Sequence, residues 1–354
     1  MKKIILTGGG TAGHVTPNIA LLPKLKAAGY EISYIGSYNG IEKGLIESEG
    51  ITYYGISSGK LRRYFDLKNI SDPFKVVKGL GQAVSLMHKI KPDIVFSKGG
   101  FVSVPVVLAA KLCGVPAIIH ESDITPGLAN KLAFPGAKAV CCNFPETMKY
   151  LPAGKAVLTG SPIRQELFLG DPKKAREFTG FNEDKKVLLI IGGSIGSKVI
   201  NECIRTMLPE LLEEFQIIHL CGKGNLDDSL RDTAGYRQYE YISKELNDLF
   251  ALADIIISRA GANSICELLA LKKPNILIPL SAAASRGDQI LNAKSFKAQG
   301  YSYVIQEEDM TPETLKAGIK EVTENKDAYV KAMESSNQID SLDKIMALIK
   351  KYEK

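Results

Sequence analysis

No apolar run in this 354-residue chain approaches the ~18 residues that a bilayer crossing requires, so a membrane-spanning helix is not expected. The chain opens directly on a strand pattern, which predicts no leader peptide. Cysteine is sparse and unpatterned. Cys113, Cys141, Cys142, Cys203, Cys221 and Cys266 show no CxxC spacing, and most lie in apolar surroundings. That pattern argues against a metal or disulfide framework and for buried, reduced thiols in a cytosolic protein. A large excess of one charge is also missing: the net charge is +6, with 24% charged and 45% hydrophobic residues, the balance of a globular chain with ample core.

The modest charge is unevenly placed. Residues 60–89 hold Lys60, Arg62, Arg63, Lys68, Lys75, Lys78 and Lys89 against Asp66 and Asp72, which is 7 − 2 = +5. Tyr64, Phe65, Ile70, Phe74, Val76 and Val77 lie among them. Basic and bulky apolar residues mixed in this way suit an anionic membrane surface, and equally an amphipathic helix with a solvated lysine face.

What the chain does contain is one stretch used twice. Lys2–His14 and Lys185–Ser197 align without a gap, each running from two lysines through an apolar segment into Gly-Gly-(Ser/Thr)-x-Gly. An apolar run closed by glycines and followed by a helical pattern reads as an interior parallel strand. The loop glycines admit close backbone approach, and the helix N-terminus beyond them favours phosphate. The two copies differ at their last aligned position, His14 against Ser197, so an imidazole is available in one copy only. Strands and helices alternate along both halves. The predicted fold class is therefore α/β, with two Rossmann-like parallel-sheet domains facing a cleft and ligands at the carboxyl ends of the strands. The helix after residue 72 is expected to open at Pro73, a strand is expected at Tyr239–Ile242, and Asp288-Gln289 is expected to cap a helix.

Gly8, Gly10 and Gly13 satisfy G-x-G-x-x-G, but the second strand ends Tyr34-Ile35-Gly36-Ser37, without the acid that a dinucleotide fold needs for its ribose. In the second half, Gly261, Ala262 and Asn263 open a helix, and Glu267 lies about one turn inside it, placed for a ribose diol. Gln289 can donate and accept toward sugar hydroxyls, and Arg164 is a fixed cation for a phosphate or a linker salt bridge. Asp-x-Asp does not occur. A nucleotide-sugar enzyme built this way neutralises its leaving diphosphate with helix ends and arginine, so no cofactor and no protein-held metal is expected.

Several motifs, in order and spacing, resemble the MurG family. They are Gly9–Val15, Lys98–Ser103, His120-Glu121, Gly160–Arg164, Gly192–Ser194, Ser258–Ala262 with Glu267, and Asp288–Ala293. These transferases move N-acetylglucosamine (GlcNAc) from UDP-GlcNAc to undecaprenyl-diphospho-muramoyl-pentapeptide in peptidoglycan synthesis. The resemblance covers nearly the whole chain. It implies the GT-B glycosyltransferase fold, with an acceptor and membrane-side domain at 1–161, a UDP-sugar domain at 162–335, and a helix at 336–354 packing back on the first domain. It implies donor contacts at Thr11, Ala12, Gly13, Asp123, Arg164, Ser194, Ile242, Ala262, Asn263, Ser264, Glu267 and Gln289. Acceptor contacts are implied at Gly10, Thr11, His14, Gly99, Gly100 and Asn130. His14 is the candidate base, since an ordinary imidazole pKa near ~6.5 suits neutral pH, or else a hydrogen-bond donor to the diphosphate. Glu121 is an alternative base or orienting group. Family members are peripheral on the cytoplasmic face of the cell membrane. The chain departs from the family at Ile195, where Gln is usual, at Ser122-Asp123 for Gln-Asn, and at Asp288 for Gln. Two competing readings keep the fold: a UDP-GlcNAc 2-epimerase, and a nucleotide-sugar sensor without turnover.

Overall fold

Parallel strands organise both halves of the chain. The computed structural model describes residues 1–59, 68–193, 195–283, 287–336, 338 and 340–354. These form two compact units, Met1–Arg164 with Asn337–Lys354, and Gln165–Ser336.

The first unit runs β1 (Lys3–Thr7), α1 (Thr16–Ala27), β2 (Glu31–Ser37), α2 (Ile41–Glu47), β3 (Thr52–Ile56), α3 (Lys68–Ile90) and β4 (Ile94–Ser97). It continues with α4 (Ser103–Leu112), β5 (Ala117–Glu121), α5 (Leu128–Ala133), β6 (Ala139–Cys142) and β7 (Ala156–Leu158). The strand order is β3-β2-β1-β4-β5-β6-β7, with every pairing parallel. Ile4, Ile5 and Leu6 of β1 and Ile94, Val95 and Phe96 of β4 are fully buried, as strands covered on both faces require.

The second unit contains α6 (Pro172–Thr179), β8 (Lys186–Ile191), α7 (Lys198–Thr206), α8 (Leu208–Glu214), β9 (Phe215–Leu220), β10 (Tyr236–Tyr239) and α9 (Leu246–Leu252). After these come β11 (Ile255–Ser258), α10 (Ala262–Ala270), β12 (Asn275–Leu277), α11 (Asp288–Ala298), β13 (Tyr303–Val304), α12 (Pro312–Glu324) and α13 (Lys326–Glu334). Its sheet, β10-β9-β8-β11-β12-β13, is also wholly parallel. In each sheet the order reverses beside the strand that precedes a duplicated glycine loop, between β1 and β4 and between β8 and β11. Ligands of doubly wound sheets bind at such switch points.

The last helix, α14 (Ser341–Tyr352), belongs to the first unit. Its Leu342, Ile345, Met346 and Ile349 join Leu21, Leu22, Ile94 and Ile118 in one buried cluster. Each such side chain contributes roughly 1.5–3 kcal/mol on burial, against about 1 kcal/mol or less for an exposed ion pair such as Lys24–Asp343. Apolar packing therefore holds the helix.

Four expectations need correction. Helix α3 starts at Lys68, and Pro73 falls in its second turn, where a missing N–H removes a single intrahelical bond. Burial of Ala83, Met87 and Ile90 secures the remainder. Strand β10 ends at Tyr239 because its partner β9 ends opposite it at Leu220, so Ile242 lies beyond the sheet. Helix α11 is capped by Gly287, at φ 80°, with Asp288 as its first residue. Finally, the first unit extends past Ser161 to Arg164. Gly160 is packed against the Gln338 backbone, and the Ser341 hydroxyl bonds the Ser161 carbonyl at 2.5 Å, which holds this stretch to the first unit. Residues 60–67, the first eight of the thirty-residue basic-aromatic segment, and Ser194 lie outside the described residues.

Candidate active site

The loop after β1 is shaped by a residue that sequence reasoning missed. Glu42, in the first turn of α2, is fully buried. It accepts the Ser37 N–H at 3.0 Å, the Ser37 hydroxyl at 2.6 Å and the Gly10 N–H at 3.3 Å. A Cβ at Gly9 would come within 2.6 Å of its carboxylate, and Gly36 and Gly40 are crowded by the same side chain. Thus the acid absent from the end of β2 is present five residues later, folded back under the glycine loop. The one available signal was a glutamate opening a helix beside a Gly-rich turn.

The third glycine loop, after β4, packs backbone to backbone on the first. Gly100 has φ 85°, and a side chain there would overlap the Gly9 carbonyl oxygen. Gly99, at φ 92°, faces Asn130. Asn130 is buried and donates its amide to Glu121 at 2.8 Å. Glu121 also accepts the N–H groups of Ser122 at 2.8 Å, Asp123 at 3.1 Å and Gly127 at 3.0 Å. With both oxygens committed, Glu121 holds the Ser122–Gly127 loop, an orienting role, and is not placed to act as a base. Asp123 is half-buried on that loop.

His14 closes a single 3₁₀ turn, Ala12–His14, after the exposed Thr11 and Ala12. Its Nδ1 lies 3.0 Å from Thr11 Oγ1. The ordinary imidazole value expected from sequence does not hold. Burial first, and the Lys98 charge second, push its pKa down to about 4, against an opposing pull from the Gly9 backbone and Glu42. At neutral pH the ring is unprotonated and able to accept a proton. Arg164 is half-buried at the end of the first unit, and its Nε has no hydrogen-bond partner among the described residues.

In the second unit, Gly193 has φ 93° and Ile195 is 83% exposed beside the undescribed Ser194. Gly196, at φ 82°, leaves no room for a side chain against the Cys221 carbonyl. Ser197 caps α7 by accepting the Ile200 N–H at 3.3 Å. Arg259 ties the neighbouring loops together. It donates to Ser197 Oγ at 2.6 Å and to the Ile278 carbonyl at 3.1 Å, and it pairs with Glu307, which takes the Ser281 N–H at 3.0 Å. Helix α10 begins at Ala262 behind Gly261, which offers no side-chain cap. Asn263 and Glu267 are half-buried on it, and Ser264 is exposed. Gln289 accepts the Leu280 N–H at 3.0 Å through its side-chain carbonyl. The Ile242 side chain is buried. His219 is a core residue, as expected, bonded at 2.9 Å to both Tyr236 and Asn201.

The predicted contacts are thus divided between the units. Gly10–His14, Gly99, Gly100, Glu121, Asp123, Asn130 and Arg164 lie in the first, and Ile242, Ala262–Glu267 and Gln289 in the second. All six cysteines are free thiols. Among the described residues no cluster of three His, Cys, Asp or Glu side chains could hold a metal ion.

The glycosyltransferase family 28 N-terminal domain matches residues 4–142, and the family's C-terminal domain matches residues 187–349. A crystal structure of MurG from Acinetobacter baumannii superposes with a TM-score of 0.79 at 28% identity, covering 99% of this chain and 100% of that one. A relative from Lachnospira eligens, the UDP-N-acetylglucosamine--N-acetylmuramyl-(pentapeptide) pyrophosphoryl-undecaprenol N-acetylglucosamine transferase, is 67% identical over 350 residues, 99% of each chain. The chain belongs to the MurG family. It is a glycosyltransferase of two α/β domains. The UDP-GlcNAc 2-epimerase of Neisseria meningitidis, solved with UDP-GlcNAc bound, shares the fold alone. Its TM-score is 0.66 at 12% identity, covering 99% of this chain and 100% of that one.

Proposed function

We propose that this enzyme transfers GlcNAc from UDP-GlcNAc to the muramoyl 4-hydroxyl of undecaprenyl-diphospho-muramoyl-pentapeptide, with inversion. The observation that carries this reading is the full-length 67% identity to a transferase of that name. The paired switch-point loops support it, one per unit, each able to lend amide hydrogens to a diphosphate. The acceptor oxygen attacks the anomeric carbon, the bond from that carbon to the UDP β-phosphate oxygen breaks, and the hydroxyl proton passes to His14. Charge developing on UDP is met by the N-terminus of α10, without an obligatory protein-held metal. The test is transfer of labelled GlcNAc to a short-chain polyprenyl-diphosphate muramoyl acceptor, with and without chelator. Product in both arms is the expected result. Turnover of UDP-GlcNAc without acceptor would favour the epimerase reaction, and loss of transfer on chelation would remove the metal-independent step.

Among the described residues no helix is long and apolar enough to cross a membrane. We place the enzyme at the cytoplasmic face of the cell membrane as a peripheral protein, docked through residues 60–89. Phe74, 75% exposed, and Val77, 68% exposed, support this, with exposed Lys75 and Lys78 beside them on α3. Lys75 is partly offset by Asp72 at 3.0 Å. A basic side chain near an anionic surface contributes about 1 kcal/mol. Reversing charge at Lys68, Lys75 and Lys78 should therefore lower affinity for phosphatidylserine vesicles by an order of magnitude or more in co-sedimentation. Equal binding by wild type and variant would rule the segment out.

A further inference from the structure

An acid buried beneath a loop that favours anions opposes that loop electrostatically, since like charges repel. Glu42 sits in that place, and its contacts give the reason. Oε1 accepts the Ser37 N–H at 3.0 Å and the Ser37 hydroxyl at 2.6 Å, while Oε2 accepts the Gly10 N–H at 3.3 Å. Donors therefore face both oxygens. A carboxylate accepts at each, whereas a glutamine of the same shape would turn its NH₂ group onto one of those N–H groups. Glycines make room for the side chain. A Cβ at Gly40 would overlap the carboxylate, and one at Gly36 would lie 2.9 Å from Glu42 Cγ. The Ser37 anchor is itself tied into the sheet, because the Tyr53 hydroxyl on β3 donates to the Ser37 carbonyl.

The hold falls on a single peptide group. Between Gly9 and Gly10, the N–H points to Glu42 and the carbonyl packs on the third loop, where a Cβ at Gly100 would overlap it. Gly10 has φ 89°, and among the described residues nothing lies within 4 Å of the point where its side chain would begin. Crowding at Gly10 therefore does not set this conformation; the contacts on either side of the peptide do. Thr11 and Ala12 come next in the chain and are exposed. The direction in which they leave the loop follows from that peptide.

We propose that Glu42 is a positioning residue for acceptor binding: its carboxylate holds the Gly9–Gly10 peptide in the orientation that presents Thr11 and Ala12 to a lipid-linked diphosphate. This deepens, and rests on, the reading of the first loop as the acceptor-diphosphate site. Glu42 touches no substrate in this role. A loop released from the carboxylate must be ordered by the ligand instead, and that ordering is subtracted from affinity. The donor contacts proposed on α10 lie in the second unit, so donor affinity serves as the internal control.

The test is Glu42→Gln in the full-length protein, which keeps the shape and the Ser37 bonds and turns its NH₂ group toward the Gly10 N–H. The KM for the short-chain polyprenyl-diphosphate muramoyl acceptor should rise roughly tenfold or more, with kcat less affected. The affinity for farnesyl diphosphate, read by calorimetry, should fall in proportion. UDP-GlcNAc affinity and Tm should stay at the wild-type values. A role in packing alone predicts that this isosteric variant behaves as wild type, so unchanged acceptor KM and unchanged farnesyl diphosphate affinity would overturn the proposal. An equal loss of donor affinity would overturn it as well. Should the glutamine variant not fold, Glu42→Asp, one methylene shorter and out of reach of Gly10, takes its place with the same expected rise. Wild-type protein that binds farnesyl diphosphate but transfers no GlcNAc would sink the transferase reading, and the diphosphate titration would then decide the role of Glu42 by itself. Wild-type protein that binds no diphosphate would refute the proposal.

Discussion

Replacing His14 with alanine should lower kcat by about 10²–10⁴-fold and leave the affinity for UDP-GlcNAc unchanged. The split follows from where the residues lie. His14 stands on the first unit's glycine loop, whereas the proposed nucleotide contacts, Glu267 and the helix N-terminus, stand on α10 of the second. Removing a base takes away an interaction made only as the hydroxyl loses its proton, so turnover falls without loss of donor binding. The pH profile supplies a second signature. With its pKa pushed down to about 4, His14 should place the acid limb of kcat/KM well below the range of an ordinary histidine. That limb should vanish in the alanine variant. Steady-state kinetics across pH, beside calorimetry with UDP-GlcNAc, would check both. A variant turning over at near-normal rate would take the base role away from His14.

Glu267→Ala should produce the reverse pattern: UDP-GlcNAc binds on the order of 10²-fold more weakly, and UDP alone is weakened to the same degree. A carboxylate that accepts two hydroxyls of a ribose contributes about 1.5–3 kcal/mol per bond, because an ionised acceptor is involved. Glu267 is half-buried within α10, where Ile265, Cys266, Leu268 and Leu269 around it are buried, so its carboxylate is held on a rigid frame. The ribose belongs to UDP whether or not the sugar is attached, which is why both ligands should lose equally. Calorimetry on the variant decides the matter: undiminished affinity would place the ribose elsewhere.

The framework was legible because parallel strands buried on both faces read as unbroken apolar runs, and the glycines that end them mark their carboxyl edges. Both sheets and both switch points follow from Ile4–Leu6, Val187–Ile191 and the loops after them. What stayed hidden was the charge beneath those loops. Glu42, Lys98 and Arg259 would be assigned to solvent on residue type alone, since unpaired charges are rarely buried. Their partners are distant in sequence: Lys98 meets His120 and Ser122, and Arg259 meets Ser197 and Glu307. Glu121 stayed open between a base and an orienting group for a related reason. An acid at a strand edge beside a histidine looks reactive, and only folding shows that backbone N–H groups up to Gly127 already occupy it. The pKa of His14 was likewise out of reach, because it depends on burial and on Lys98, neither of which the local sequence displays.

Because α14 completes the core that begins at β1, the final piece of the first unit leaves the ribosome only after all of Gln165–Ser336 has been made. Gln165–Ser336 is contiguous and can finish folding while the nascent chain is still growing. Met1–Arg164 must wait, with Leu21, Leu22 and Ile118 lacking their cover until Leu342–Ile349 emerges. The half of the enzyme made first is therefore the half that matures last, and a truncation that removed Leu342–Ile349 would uncover the core of the unit that carries β1.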